Sequence, residues 1–132
     1  MFETLIQKLQ EDKFLTLETT PQHEPSMHNI IERIKKFKLQ DRVDGFSCTD
    51  NPLAKLKYNA LFASLKLQQE FKKPVIATMT MRDRNKIALQ SDLMGANDFD
   101  VRAILALTGD PANMSDQPNS KGVFEANSLM LL

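Results

Sequence analysis

A chain of 132 residues, 42% apolar and 26% charged, is long enough for one domain with a buried core and too evenly composed to be disordered or fibrous. Its 17 basic and 17 acidic residues balance, which argues against a general nucleic-acid or membrane-surface binder, since such proteins carry a basic excess. The single Cys48 excludes an internal disulfide and a Cys-rich zinc site, and points to a reducing compartment. The N-terminal stretch MFETLIQKLQEDK lacks the apolar core and cleavage motif of a signal peptide. No apolar run approaches the ~20 residues a bilayer span needs, so the expected location is the cytoplasm.

Phe2, Leu5, Ile6 and Leu9 recur at helical spacing and predict an amphipathic helix over residues 2–11, either plugging the bottom of a barrel or lying free on the surface. Phe14 to Thr19 is β-rich and bounded by Pro21, which predicts strand one with Glu18 at its carboxyl end. Ser26 is the expected N-cap of a first helix marked by Met27, Ile30, Ile31, Ile34 and Phe37. Gly45 to Thr49 predicts strand two, ending in the turn signal Thr49-Asp50-Asn51-Pro52, and a second helix is expected from Leu53 to Glu70. Pro74 to Thr80 predicts strand three, and the charged loop Met81-Arg82-Asp83-Arg84-Asn85 offers Asp83 or Asn85 as a cap. A third helix follows over 86–94, with Gly95 as its stop. Ile104 to Leu107 reads as a strand buried on both faces, running into Gly109, which permits a sharp turn or a close approach, and then Asp110. A polar loop over 111–121 leads to an expected helix from Val123, and the sequence stops inside an apolar run.

The strands begin near positions 14, 45, 74 and 103, at intervals of 31, 29 and 29. A repeating βα unit of that length indicates parallel strands with crossover helices. No GxGxxG or GxxxxGK[ST] follows any strand, which argues against a dinucleotide-binding Rossmann unit or a P-loop. The expected fold is therefore α/β: a (β/α)4 half of a TIM barrel, truncated within the fourth helix. It occupies residues 1–132 as one partial domain, with a helix over 1–12 preceding strand one. His23 and His28 have no second ligand at metal spacing, so no metal site is expected. Arg82, Asp83 and Arg84 read as a phosphate-binding loop or as a solvated charge network.

The motifs FLTLETTP, DGFSCTDNP, TMTMRDRNKIALQSDLMGA and ILALTGDP, in that order and spacing, resemble the N-terminal half of the 5,10-methylenetetrahydrofolate reductase family. The resemblance implies a flavin-dependent TIM barrel that reduces 5,10-methylenetetrahydrofolate to 5-methyltetrahydrofolate for methionine synthesis. FAD is the implied cofactor and NAD(P)H the electron donor. It implies roles at matching positions: Glu18 as general acid, Thr49 near the flavin, and Gly109 and Asp110 approaching the flavin ring and the folate. The sequence departs from the family at Thr78, where bacterial members commonly carry a histidine. It departs again at Thr108, where an arginine often precedes Gly-Asp, and Arg82 or Arg84 would have to supply the missing charge.

Opening the folate ring to an iminium requires protonation of a nitrogen, the task expected of Glu18 if apolar neighbours such as Leu17 raise its pKa. Asp110 would stabilise the developing cation. Beside these stand plainer readings: Glu18 as a solvated, salt-bridged strand end, and Asp110 as a loop cap. Four βα units leave two sheet edges unpaired. The chain is therefore read either as part of an active reductase, as an inactive fragment, or as a half-barrel that closes with a second chain or a second copy of itself.

Overall fold

A computed structural model describes residues 1–117 and 119–131. Four parallel strands form one sheet in the order β1-β2-β3-β4: Thr16–Thr19, Gly45–Cys48, Val75–Thr80 and Ala103–Leu107. All four lie where the apolar runs placed them. The architecture is α/β and matches half of a (β/α) barrel, with the sheet not closed.

The register fixes which residues share a face. Thr16 pairs with Gly45, Phe46 with Val75, and Ile76 with Ala103. Paired residues of parallel strands point the same way, and faces alternate along each strand. One face therefore carries Phe46, Cys48, Val75, Ala77 and Met79, each at most 2% exposed, and the helices α2 (His28–Lys36), α3 (Ala60–Phe71) and α4 (Lys86–Asp98) cover it. Phe46 stacks at 5.1 Å on Phe71 and packs with Ile31, Ile34 and Leu67. Burying one such side chain contributes about 1.5–3 kcal/mol. The other face carries Glu18, Ser47, Thr78, Leu105 and Leu107 and corresponds to the barrel lumen.

The fourth strand differs from the expectation of burial on both faces: Leu105 is 51% and Leu107 42% exposed. Nothing among the described residues lies over the lumen side of the open sheet at this edge, so only Ile104 and its helix-facing neighbours are packed.

Helix α1 (Phe2–Glu11) is tied to the bottom of the sheet. Its Lys8 pairs with Asp44 just before β2, and Asp100, just before β4, accepts from the Met1 amine and the Phe2 N–H. These bonds hold the Asp100 carboxyl down at about 2.

Three helix limits depart from the sequence reading. The second helix begins at Ala60 rather than Leu53, because Asn59 accepts from the N–H groups of Leu61 and Phe62, while residues 53–58 are drawn into a loop by tertiary hydrogen bonds. α4 runs through Gly95 to Asp98, since Gly95 faces open space and the buried Ala96 holds the next turn in place. The last helix, α5, covers Ser128–Leu131 among the described residues, with Asn127 accepting from Met130; from Val123 the chain is instead irregular, with Phe124 at φ 46° and a bend at residues 125–126, and the Val123 N–H donates to the Arg82 carbonyl. Two proposed caps are refined. Ser26 accepts from His28, though Met27 holds the N-cap position, and Asn85 rather than Asp83 caps α4.

Candidate active site

Glu18, Thr49, Gly109 and Asp110 all lie at the carboxyl ends of strands, the edge at which parallel α/β folds place their chemistry. Glu18 is level with Ser47, so Thr49, two residues further on, shares its lumen face. The Thr49 hydroxyl donates to Thr20 Oγ1 at 3.2 Å. Glu18 is exposed and makes no ion pair or hydrogen bond among the described residues, unlike the salt-bridged strand end weighed above. Leu17 does not neighbour its carboxylate. Alternation turns Leu17 to the opposite face, where it packs on the Phe46 cluster.

Asp110 stands apart from that pair. Beyond β4 the chain turns at Gly109, with φ +101°, and a Cβ there would lie 3.1 Å from the Arg82 Cβ and 3.2 Å from the Thr80 Cβ. Glycine is thus required by the close approach of the β4 loop to the end of β3. The turn carries Asp110 back over β3, and its Oδ2 accepts from the Leu53 N–H at 2.7 Å. Leu53 and Ala54 hold φ of 57° and 56°, a conformation costly for residues with side chains, and Asp110 is one of the groups that stabilises it. Asn51 Oδ1, accepting from Lys57, and Asp116, accepting from Leu56, are two others.

Beneath this bridge lies a charge network that strand-end reasoning missed. Asp50, its side chain 1% exposed, accepts from the Thr80 N–H at 2.9 Å and the Thr80 hydroxyl at 3.0 Å, and pairs with Arg84. Arg84 also pairs with Asp92 at 2.9 Å. Arg82, its side chain 3% exposed, forks onto Asp83 through Nε at 2.8 Å and Nη2 at 2.6 Å. Its Nη2 also donates to the Asn51 carbonyl, and its Nη1 to the Asp110 carbonyl. The Arg82 guanidinium holds the Asp83 carboxyl below the usual carboxylate range and is itself raised by that bond. The charged string RDR and the lone Asp50 of TDNP, about one βα period apart, were the available signal for this network. Both arginines of the RDR string are buried and paired to carboxylates, where a solvated loop or a phosphate cradle had been expected; only Asp83 between them is exposed.

These facts bear on a flavin. The lumen face carries the exposed side chains of Leu105 and Leu107 on β4, while Glu18 and Thr49 lie at the far edge of the same face, on β1 and just past β2, with Glu18 level with Ala103. Apolar side chains, a hydroxyl and a carboxylate are the kinds of group that would hold the ring end of such a cofactor. Arg82 and Arg84 do not fit its diphosphate, because both guanidiniums are already committed to carboxylates. The Thr108 hydroxyl is spent on Ser128 at the start of α5, so it does not replace an arginine charge either. The cavity between the β2, β3 and β4 loops, beside Asn51, Arg82, Lys55 and Lys121, measures only about 190 Å³. That is too small to enclose a dinucleotide, so the described residues present an open platform rather than a finished pocket.

Four parallel strands with helices on one face and acidic residues at the carboxyl rim define the class: an α/β chain matching half of a (β/α) barrel whose sheet is not closed. The model of one protein family, methylenetetrahydrofolate reductase, matches residues 2–132. The chain belongs to the methylenetetrahydrofolate reductase family, oxidoreductases of one-carbon metabolism that act on a folate. No curated protein matches it. Among the described residues, no helix is long and apolar enough to cross a membrane.

Proposed function

We propose that this chain carries the acid-bearing half of an FAD-dependent site that reduces 5,10-methylenetetrahydrofolate to 5-methyltetrahydrofolate with NAD(P)H. The observation that supports it most is the Glu18 carboxyl, exposed on the lumen face and without an ion pair among the described residues, near Thr49 and at the carboxyl edge of the sheet that also carries Gly109 and Asp110. FAD, when bound, supplies the hydride that reduces the folate and is itself reduced by NAD(P)H. Glu18 delivers a proton to the folate nitrogen whose departure opens the five-membered ring, the contribution of a general acid, typically worth ~10²–10⁴ in rate. Asp110 would stabilise the developing cation through Oδ1, since Oδ2 accepts from the Leu53 N–H. Thr49, whose hydroxyl donates to Thr20, offers its oxygen to the ring edge as an acceptor, and Leu105 and Leu107 exclude water from beneath it.

Glu18→Gln tests the assignment. It keeps NAD(P)H oxidation by menadione in the presence of FAD, the half-reaction that needs no folate proton, and abolishes folate reduction. Loss of both activities refutes the role of Glu18 as acid. Flavin absorbance near ~450 nm in the purified protein is the corresponding sign of the cofactor.

The exposed Leu105 and Leu107 favour a second reading alongside this one, in which the site works only once further strands cover the lumen. Those strands belong to the same polypeptide or to a second chain. Light scattering separates the cases: a discrete dimer supports closure between copies, and a colourless aggregating monomer supports an inactive fragment.

A further inference from the structure

Arg82 has a geometry that the proposed chemistry does not use. Its side chain is 3% exposed, yet it reaches three loops at once. Asp83 fixes the plane of the guanidinium with two bonds of 2.8 and 2.6 Å. The remaining donors meet the Asn51 carbonyl of the β2 loop at 3.2 Å and the Asp110 carbonyl of the β4 loop at 3.4 Å. Its own carbonyl accepts from Val123 at 2.6 Å, and the missing Cβ of Gly109 leaves it room. A planar fork of five donors can make these contacts together, and a lysine ammonium cannot.

We infer that Arg82 is a positioning residue: it fixes the Gly109–Asp110 turn against the β2 loop, so that the Asp110 carboxylate is held on Leu53 through Oδ2, with no hydrogen bond to Oδ1 among the described residues. The inference rests on Asp110 belonging to the proposed site. Asp110 is joined to the β2 loop twice, by its carbonyl through Arg82 to Asn51 and by its carboxylate to Leu53. Releasing the first tether lets the turn drift and frees the second. Asp50 and Thr80 form a separate contact with no bond to Arg82, and so provide an internal reference.

The test is amide hydrogen exchange in the ¹⁵N-labelled chain, comparing wild type with Arg82→Lys and Asp83→Asn. Arg82→Lys keeps the charge and loses the fork. Asp83→Asn weakens the anchor of the guanidinium at a carboxylate that is 42% exposed, so it spares the fold if the first variant does not. Exchange at the Leu53 N–H rises about tenfold or more in the folded variant, while the Thr80 N–H, held by Asp50, changes less than about twofold. An unchanged Leu53, or equal acceleration of both amides, overturns the inference, the latter because Arg82 would then act only through global stability. A parallel FAD titration separates the two proposals. Selective release of Leu53 in a protein whose wild type binds no flavin leaves the positioning role intact and removes the cofactor reading. Flavin binding weakened at least about tenfold by Arg82→Lys supports both.

Discussion

Replacing Asp50 with Asn probes the buried network directly. The carboxylate accepts two bonds from Thr80 and pairs with Arg84, with a side chain only 1% exposed. Asparagine is nearly isosteric but has one acceptor and one donor end, so whichever way it turns, a donor faces Thr80 or Arg84. Removing one partner of a buried pair costs about 3–5 kcal/mol. Because Arg84 keeps Asp92, the low end of about 3 kcal/mol is expected. Unfolding entropy of about 2.1 cal/mol/K per residue over 132 residues gives roughly 0.28 kcal/mol/K, so the melting midpoint falls by about 11 °C. Thermal unfolding followed by circular dichroism measures it. Asp92→Asn, at a carboxylate 36% exposed, costs at most about 1 kcal/mol. In Asp50→Asn/Arg84→Met the loss is smaller than the sum of the two single changes, because no unpaired buried charge remains. A single variant within about 0.5 kcal/mol of wild type, or strict additivity in the double, refutes the reasoning.

Two glycines behave oppositely. Gly95→Ala meets nothing within 4 Å inside α4 and raises stability by about 0.5–1 kcal/mol in urea melts. Gly45→Ala places a Cβ 2.4 Å from the Pro74 carbonyl and 2.6 Å from Phe14, and lowers it by about 1–3 kcal/mol. Burial pushes the Cys48 thiol up from 9.0 to about 11. Its contribution to stability is therefore complete below about pH 9 and is lost as pH rises toward 11, because the unfolded chain ionises first; Cys48→Ala flattens that alkaline decline in urea melts. At pH 8 a thiol reagent modifies Cys48 no faster than the chain unfolds, and rapid labelling in the native state would show the packing around Phe46 to be looser than described.

The strands were legible because each is a short apolar run closed by a turn residue, and the regular interval between them leaves a parallel sheet as the simplest arrangement. The polar rim was legible for the same reason, since Glu18, Thr49 and Asp110 mark strand ends. The start of α3 was not. Leu53, Ala54 and Lys55 are good helix formers, but the N–H groups of Leu53, Lys57 and Leu56 donate to the side chains of Asp110, Asn51 and Asp116, and these bonds hold that stretch in a loop. Tertiary contacts of this kind override local propensity. The exposure of Leu105 was hidden because an apolar letter does not say whether anything covers it. The Asp50–Arg84 pair was hidden because a charged string on a loop looks the same whether solvent or protein surrounds it.

The β4 loop reaches across to the β2 loop at Leu53 and Leu56, with the Arg82 and Arg84 segment pinned underneath. This woven arrangement sets a limit on modular engineering of the barrel. Exchanging the third βα unit for that of another protein removes the support on which the second and fourth loops rest, so grafts must carry the three consecutive units as one block.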